Sequence, residues 1–235
     1  MTHIPIFVLR FLDMEAPASP DVKKSLLVGA RALAEEHLAL FEKENIDPAI
    51  FHNDKIEYSA IQIGSFKGKT EWVAVGEKAV RALELWYGMF QKELPSSLQH
   101  VMEIREYYTP AFLSYMQAYR ISPLLVKDDF AIKMRNVQDK FARFSMMEKY
   151  LYGNLQTFFE HISFAYDKEE HFLKIEVGDA YRLPKALPVY HGNKKTAFRV
   201  SFRCNFRLPY TLRLGQAVAI GYGKVQLENH HRNYG

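Results

Sequence analysis

The sequence predicts an α+β protein built from two tandem ferredoxin-like (RRM-like) domains, residues 1–110 and 111–235, with a glycine-rich loop near the C-terminus. Two observations lead to this prediction. The composition, with 48% hydrophobic and 25% charged residues, is that of a globular chain and excludes a disordered or collagen-like one. Apolar patterns in the first half follow the order strand, helix, strand, strand, helix, strand, and the second half begins the same order again after Pro110.

The first half opens with a nearly continuous apolar run at residues 4–12, which has the length of a strand. Ser19 and Pro20 then mark a helix start, because serine suits the N-cap and proline suits the first helical position. Apolar residues at three- and four-residue steps extend this helix to about residue 44. The remaining predicted elements are strands at 57–63 and 70–75, a helix from Gly76 that stops before Pro95, and a strand at 101–108.

The second half is predicted to repeat this pattern less completely. A strand at residues 114–125 is followed by Asp128 and Asp129, which begin a helix whose apolar stripe continues to Ile162. We interpret this stripe as core. Further strands are predicted at 172–177, 197–206 and 217–227, with a loop marked by Pro184, Pro188 and Gly192.

Several classes of protein are excluded. No stretch approaches the roughly 20 apolar residues that span a bilayer, and the N-terminus lacks the features of a signal peptide. We therefore expect a cytoplasmic protein with no membrane partner. The single cysteine, Cys204, has no intrachain disulfide partner, and no group of His, Asp and Glu has convincing metal-ligand spacing. Neither a bound metal nor a cofactor is predicted.

Positive charge is concentrated near the C-terminus. Residues 181–235 contain ten Lys or Arg and one acid, a net charge of +9, whereas the whole chain carries +4. Within this segment, residues 198–207 alternate apolar and polar side chains, so one face of a strand presents Arg199, Arg203 and Arg207. No acid interleaves these arginines, which favours a phosphate-binding surface over the alternative of a solvated sheet face.

A glycine-rich loop follows the arginine strand. Gly215, Gly221 and Gly223 permit close approach of the backbone to a ligand and are expected to aim amide groups at phosphate oxygens. Arg213 and Lys224 add positive charge to this predicted phosphate-binding surface. The spacing is neither that of a P-loop nor that of a dinucleotide-binding motif. In the alternative interpretation, the glycines only permit a tight turn between strands.

His52 is a third candidate position. It lies in a polar loop between the first helix and the second strand, where packing does not require a histidine. The alternative is an ordinary surface histidine.

Together these segments resemble the CRISPR-associated repeat-cleaving endoribonucleases, the Cas-six family of the RAMP superfamily, and most closely its b subtype. The resemblance covers residues 50–226. In the C-terminal part it rests on residues 198–205, on Leu208 and Pro209, and on the run at 215–225. In the N-terminal part it rests on His52 and Asn53, on Tyr58, Ile61 and Gln62, and on Gly76 and Glu77.

The resemblance implies metal-independent cleavage of precursor crRNA. In this reaction the RNA 2′-hydroxyl attacks the adjacent phosphate, which leaves 2′,3′-cyclic phosphate and 5′-hydroxyl ends. The resemblance also implies that His52 is the catalytic-loop histidine and that Tyr58 accompanies it. Five positions depart from the family pattern: Asp54 replaces a second histidine, Ser59 and Ala60 stand where Tyr-Pro is common, Arg213 replaces a usual glycine, and Ala219 replaces a common serine.

The partner implied by the resemblance is CRISPR repeat RNA. A homodimer and a CRISPR effector complex are further partners that it allows. Asp54 keeps open the alternative of a non-catalytic RNA-binding homologue that acts as a subunit of such a complex. A protein interaction module that binds no RNA is a third alternative, and it conflicts with the row of arginines.

Overall fold

The computed structural model describes residues 3–17, 19–52, 58–92, 100–183, 187–190 and 193–228. Its first half contains β1 (Ile4–Glu15), α1 (Pro20–Glu36), α2 (Leu38–Lys43), β2 (Ile61–Phe66), β3 (Lys69–Val75), α3 (Glu77–Phe90) and β4 (Val101–Tyr108). The strands form an antiparallel sheet in the order β2-β3-β1-β4. This is the strand order of a ferredoxin-like unit.

The second half contains β5 (Phe112–Leu125), α4 (Asp128–Asn136), α5 (Lys140–His161), β6 (Ile175–Arg182), β7 (Leu187–Tyr190), β8 (Asn193–Lys195), β9 (Ala197–Phe206) and β10 (Val225–Leu227). Its main sheet has the order β10-β5-β9-β6, while β7 and β8 pair as a separate hairpin. The predicted fold class, α+β with two ferredoxin-like units, is confirmed. Between β9 and β10, a loop with one 3-10 turn, Val218–Ile220, stands where the first unit has its second helix.

Two predicted helices are each divided. The first ends at Glu36 because His37 leaves the helical region, with φ −110° and ψ 33°. The helix predicted from Asp128 is interrupted at Val137, which is extended, and α5 begins anew where the Asp139 carboxylate accepts a hydrogen bond from the Ala142 amide at 2.6 Å. Met134 before this break and Met147 after it are buried, as predicted for the stripe, whereas Phe141 at the start of α5 is exposed.

Some strand boundaries differ from the prediction. The strand predicted at 217–227 is wrong over most of its length, because only Val225–Leu227 pairs with β5. The strand predicted at 57–63 begins at Ile61, and the one at 172–177 is shifted to Ile175–Arg182. Pro184 and Gly192 of the predicted loop lie outside the described residues, and Pro188 lies within β7.

The two halves share a hydrophobic core. On β1, Phe7, Leu9 and Phe11 pack with the helices of the first half. The alternate side chains of β1 belong to a second cluster that also contains residues of α5, β5 and β9. The continuous apolar run at 4–12 therefore reflects a strand that is buried on both faces. The division into domains at residue 110 stays a prediction.

The glycine-rich loop is held by its own backbone. The Leu214 amide donates to the Gly223 carbonyl, and the Val225 amide donates to the Leu212 carbonyl, both at 2.9 Å. Gly223 has φ +74°, and a Cβ added there would lie 1.7 Å from the Leu214 carbonyl oxygen. A Cβ at Gly221 would lie 2.6 Å from the Ile63 carbonyl oxygen of β2. The close approach that these glycines permit is thus an approach to protein backbone.

Replacing Gly223 with alanine is expected to destabilise the protein by about 2 kcal/mol or more, since the new Cβ meets a carbonyl and the positive φ disfavours it. Gly29→Ala is the control, because this glycine of α1 has open space around its Cβ position. The control should be neutral or stabilising by up to about 1 kcal/mol. Urea denaturation measures both, and equal stability of the two variants would contradict the described loop conformation.

Phe158→Ala is expected to lower the free energy of unfolding by about 3 to 5 kcal/mol, because this fully buried ring of α5 lies in the shared core. Because the core joins both halves, we expect one cooperative transition in which fluorescence and circular dichroism coincide. Phe141→Ala, on the same helix but 79% exposed, should change stability by no more than about 0.5 kcal/mol. Two separate transitions in the wild type would show that the halves unfold independently.

Candidate functional site

A cleft of about 1640 Å³ lies where the two halves meet. Its walls come from the segment around the short 3-10 helix Pro48–Ile50, from the start of α3, from α5 and from the glycine-rich loop. Four lysines and three carboxylates line it: Lys78, Lys127, Lys149 and Lys195, with Asp47, Glu77 and Asp129. The cleft also contains three histidines: His3, His52 and His161. This combination of cations and imidazoles suits an anionic ligand.

The structure places His52 and Tyr58 in this same cleft. His52 follows the 3-10 helix, whose start is capped by Asp47 accepting a hydrogen bond from the Ala49 amide at 2.8 Å. Its carbonyl accepts a hydrogen bond from Arg31 of α1 at 3.1 Å, and the residue is half-buried. Asp54, the departure from the family pattern, lies outside the described residues, as do 53–57 as a whole.

Tyr58 is held by both halves of the molecule. Its ring packs against Phe158 and His161 of α5, with ring centroids 5.2 and 5.0 Å apart. Its hydroxyl oxygen accepts a hydrogen bond from Gln62 Nε2 at 2.9 Å. Burial raises the pKa of the Tyr58 phenol, against smaller opposing effects of Gln62 and Arg213. The phenol is therefore protonated at neutral pH and suited to donate a hydrogen bond.

His161 is a cleft residue that the sequence did not single out. It is the last residue of α5, and its Nε2 lies 2.9 Å from the Val75 carbonyl oxygen. Because a carbonyl only accepts hydrogen bonds, this ring nitrogen carries the hydrogen. His161 ends the helix whose apolar stripe was interpreted as core, and nothing in the local pattern indicated that its ring reaches Tyr58 of the other half.

Arg213 does not occupy the place expected for an RNA contact. Its side chain is 1% exposed, and Nη1 donates to Gln62 Oε1 at 2.6 Å while Nη2 lies 3.8 Å from Glu71 Oε1. The guanidinium also lies against Gly64, where an added Cβ would be 2.1 Å from Nη2. The expectation that Arg213 contacts RNA is therefore wrong for this structure, because protein surrounds the whole guanidinium.

Lys224 belongs to the same charged cluster. Its Nζ lies 3.8 Å from Glu71 Oε1, and Glu71 also pairs with Arg10 at 2.8 Å. The Glu71 carboxylate is 2% exposed, so one buried acid faces three cations. Burial lowers the pKa of Lys224, while Glu71 opposes this change. Lys224 retains partial exposure, so RNA contact by this residue stays a prediction.

The glycine-rich loop uses its amides internally. Gly215 donates to Asn154 Oδ1 at 2.8 Å, Gly223 donates to the Pro123 carbonyl at 3.0 Å, and Gly221 donates to the Val218 carbonyl at 2.9 Å. The expectation that these three amides are aimed at phosphate oxygens is wrong, since each already has a protein acceptor. Gly215 nevertheless lines the cleft, together with residues 216–219 of the loop.

The arginine row lies on an exposed sheet face apart from the cleft. Along β9, the apolar side chains are buried, and Arg199 and Arg203 are exposed, as the alternation predicts. Arg207, which directly follows the strand, is exposed as well. Arg203 is neutralised, because its Nη2 bonds Glu176 of neighbouring β6 at 2.9 Å. The expectation of an unneutralised row is therefore wrong for Arg203. Within the described ranges, neither Arg199 nor Arg207 forms an ion pair.

Among the described residues, no group of three or more His, Cys, Asp or Glu is arranged to hold a metal ion. In the same part of the chain, each helix is too short or too polar to cross a bilayer.

The structure is similar to solved structures of CRISPR-associated proteins. A crystal structure of Cas6b superposes with a TM-score of 0.70 at 18% sequence identity, covering 97% of this chain and 100% of that one. A second Cas6b, described as a CRISPR RNA processing endoribonuclease, gives a TM-score of 0.67 at 14% identity over 97% and 100%. Csf5, described as a type IV Cas6 crRNA endonuclease, gives 0.57 at 14% over 95% and 99%. These similarities show a shared fold over nearly the whole chain.

Sequence comparison identifies the second half. No curated protein matches the chain in sequence. Residues 112–227, from β5 to β10, match the family model of the Cas6b C-terminal domain. The resemblance inferred from the sequence is thus confirmed, and residues 112–227 belong to the Cas6b C-terminal domain family.

Proposed function

We propose that this chain is an endoribonuclease that binds CRISPR repeat RNA and cleaves precursor crRNA. One observation carries the proposal: the glycine-rich loop lies in the part of the chain that matches the Cas6b C-terminal domain, and it lines the same cleft as His52 and Tyr58. The fold shared with a CRISPR RNA processing endoribonuclease and with a crRNA endonuclease supports it.

The proposed reaction uses a nucleophile that belongs to the RNA and needs no metal. The 2′-oxygen forms a bond to the adjacent phosphorus, and the bond from phosphorus to the 5′-oxygen breaks. The 2′-hydroxyl proton passes to a base, and the leaving 5′-oxygen takes a proton from an acid. The products are a 2′,3′-cyclic phosphate and a 5′-hydroxyl. His52 acts as the base or the acid, because imidazole titrates near neutral pH.

Tyr58 and the cleft lysines assist this reaction. The raised pKa keeps the Tyr58 phenol protonated, so it donates a hydrogen bond to the reacting nucleotide or shares in the proton transfer. Lys78, Lys127 and Lys149 attract the RNA backbone and offset negative charge that develops at phosphorus.

The exposed face of β9 is the proposed binding surface for the rest of the RNA. Arg199, together with Arg207 directly after the strand, supplies guanidinium groups, while Arg203 contributes less because Glu176 already pairs with it. Tyr181, 60% exposed, is the cross-strand neighbour of Arg199 and offers a stacking surface for a base. A homodimer and a CRISPR effector complex stay predictions from the sequence.

A second candidate function is repeat binding without cleavage. Asp54 supports it, since a carboxylate replaces the histidine that the family pattern has at this position. Such a protein would act as an RNA-binding subunit of an effector complex.

Cleavage is tested by incubating the labelled repeat RNA with wild-type protein in excess chelator. The wild type should cleave it, and His52→Ala should slow cleavage by about 10² to 10⁴, since it removes a proton-transfer group. RNA affinity should be nearly unchanged. His100→Ala is the matched control, because this exposed histidine bonds Asp13 away from the cleft.

A 2′-deoxy nucleotide at the cleavage site should stop the reaction, since it removes the nucleophile. If the wild type shifts the RNA in a gel but leaves it uncleaved, the result favours the non-catalytic function. If the His52→Ala variant cleaves the RNA at the wild-type rate, the assignment of His52 is overturned.

The binding surface is tested by the salt dependence of RNA affinity. Replacing Arg199 and Arg207 together with alanine should weaken binding and reduce the slope of log affinity against log salt by about 1 to 2, because fewer counterions are released. Arg81→Ala is the control, since Arg81 is exposed on α3 and paired with Glu44. If the double variant and the control have the same slope, the exposed face of β9 does not bind RNA.

A further inference from the structure

The buried amide of Gln62 has only one orientation compatible with its neighbours. Arg213 Nη1 lies 2.6 Å from one terminal atom of the amide, and a guanidinium can only donate. The Ser59 carbonyl lies 2.8 Å from the other terminal atom, and a carbonyl can only accept. The oxygen of Gln62 therefore faces Arg213, and its nitrogen faces Ser59.

This orientation fixes what the Tyr58 hydroxyl does. The same Gln62 nitrogen lies 2.9 Å from the Tyr58 oxygen, so the amide donates and the phenol oxygen accepts. A hydroxyl that accepts from Gln62 cannot donate its own proton to that group. The proton of Tyr58 is thus directed away from Gln62, and Tyr58 itself lines the cleft.

We infer that Arg213 and Gln62 are positioning residues that hold Tyr58 as a hydrogen-bond donor to the reacting phosphodiester of RNA. This inference rests on the proposed function. In this arrangement neither residue contacts the RNA. Arg213 orients the Gln62 amide, and the amide orients the Tyr58 phenol. The glycine-rich loop thereby acts on the catalytic loop of the other half through a buried side chain.

The surroundings of Arg213 support a fixed arrangement. Gln62 and Arg213 are 0% and 1% exposed, so water cannot replace either partner. Gly64, two residues after Gln62 on β2, leaves the space that the guanidinium fills. Glu71, 3.8 Å from Nη2, supplies the opposite charge. Rotating the amide by half a turn would set its nitrogen against a guanidinium and its oxygen against a carbonyl, so the alternative is excluded.

Gln62→Glu separates the contact of the amide with Arg213 from its contact with Tyr58. The carboxylate still accepts a hydrogen bond from Arg213 but has no N–H to donate, and it accepts a hydrogen bond from the Tyr58 hydroxyl instead. We expect single-turnover cleavage of the repeat RNA to slow by about 10-fold or more, with RNA affinity close to that of the wild type. The melting temperature should fall, because a carboxylate oxygen then faces the buried Ser59 carbonyl. Gln156→Glu is the matched control, because Gln156 donates to the Tyr166 hydroxyl at 3.1 Å outside the cleft. It should leave the rate unchanged.

A double-mutant cycle tests whether Gln62 acts through the phenol. With Tyr58→Phe already present, Gln62→Glu should change the rate less than about 2-fold, because the hydroxyl it positions is gone. If Gln62 only contributes to packing, Gln62→Glu should slow cleavage by the same factor in the wild type and in Tyr58→Phe. If Gln62→Glu fails to fold, Arg213→Lys replaces it in the cycle, since this variant keeps the positive charge. It should slow cleavage in the wild type but change the rate little when Tyr58→Phe is already present.

The outcomes separate this inference from the proposed function. A wild type that binds but never cleaves the RNA overturns the proposed function and this inference with it. In a second outcome, the wild type cleaves the RNA, His52→Ala slows cleavage, and Gln62→Glu lowers the rate by the same factor with and without Tyr58→Phe. This outcome overturns only the positioning role. Loss of the Gln62→Glu effect after Tyr58→Phe supports it.

Discussion

The packing of the two ferredoxin-like units against one shared apolar core is the contact on which the rest of the structure depends. Val8 and Val73 of the first sheet lie in one cluster with Leu155 and Phe158 of α5 and with Phe202 of β9. A strand buried on both faces cannot be exposed without losing apolar contacts on each side, so the relative position of the units is fixed by hydrophobic burial. The cleft exists because the two sheets meet in this way.

One edge of this interface is polar. There, Glu71 of β3 faces Arg10 of its own sheet and both Arg213 and Lys224 of the other half. A buried carboxylate is tolerated because it has cationic partners, and these cations are tolerated because the carboxylate offsets part of their charge. Charge pairing therefore fixes the glycine-rich loop against β3, where apolar packing alone would specify its position less closely.

The proposed RNA contacts fall in two separate places. The cleft holds His52 and Tyr58, and the exposed face of β9 carries Arg199, with Arg207 directly after the strand. A long polyanion can contact both surfaces at once, whereas a small phosphorylated ligand would use the cleft alone. The separation of the two surfaces is consistent with a substrate that is a strand of RNA, with recognition spread over the protein and chemistry confined to one point.

Local sequence patterns by themselves determined the fold class, the strands β4 and β9, the alternation that exposes Arg199 and Arg207, and the likeness to the Cas-six family. These features depend on residues a few positions apart, so the local sequence is sufficient to predict them. Tertiary structure alone decided that Arg213 is buried, that Glu176 neutralises Arg203, and that His161 reaches Tyr58. Each of these contacts joins elements far apart in the chain, because burial and charge pairing depend on which surfaces pack together.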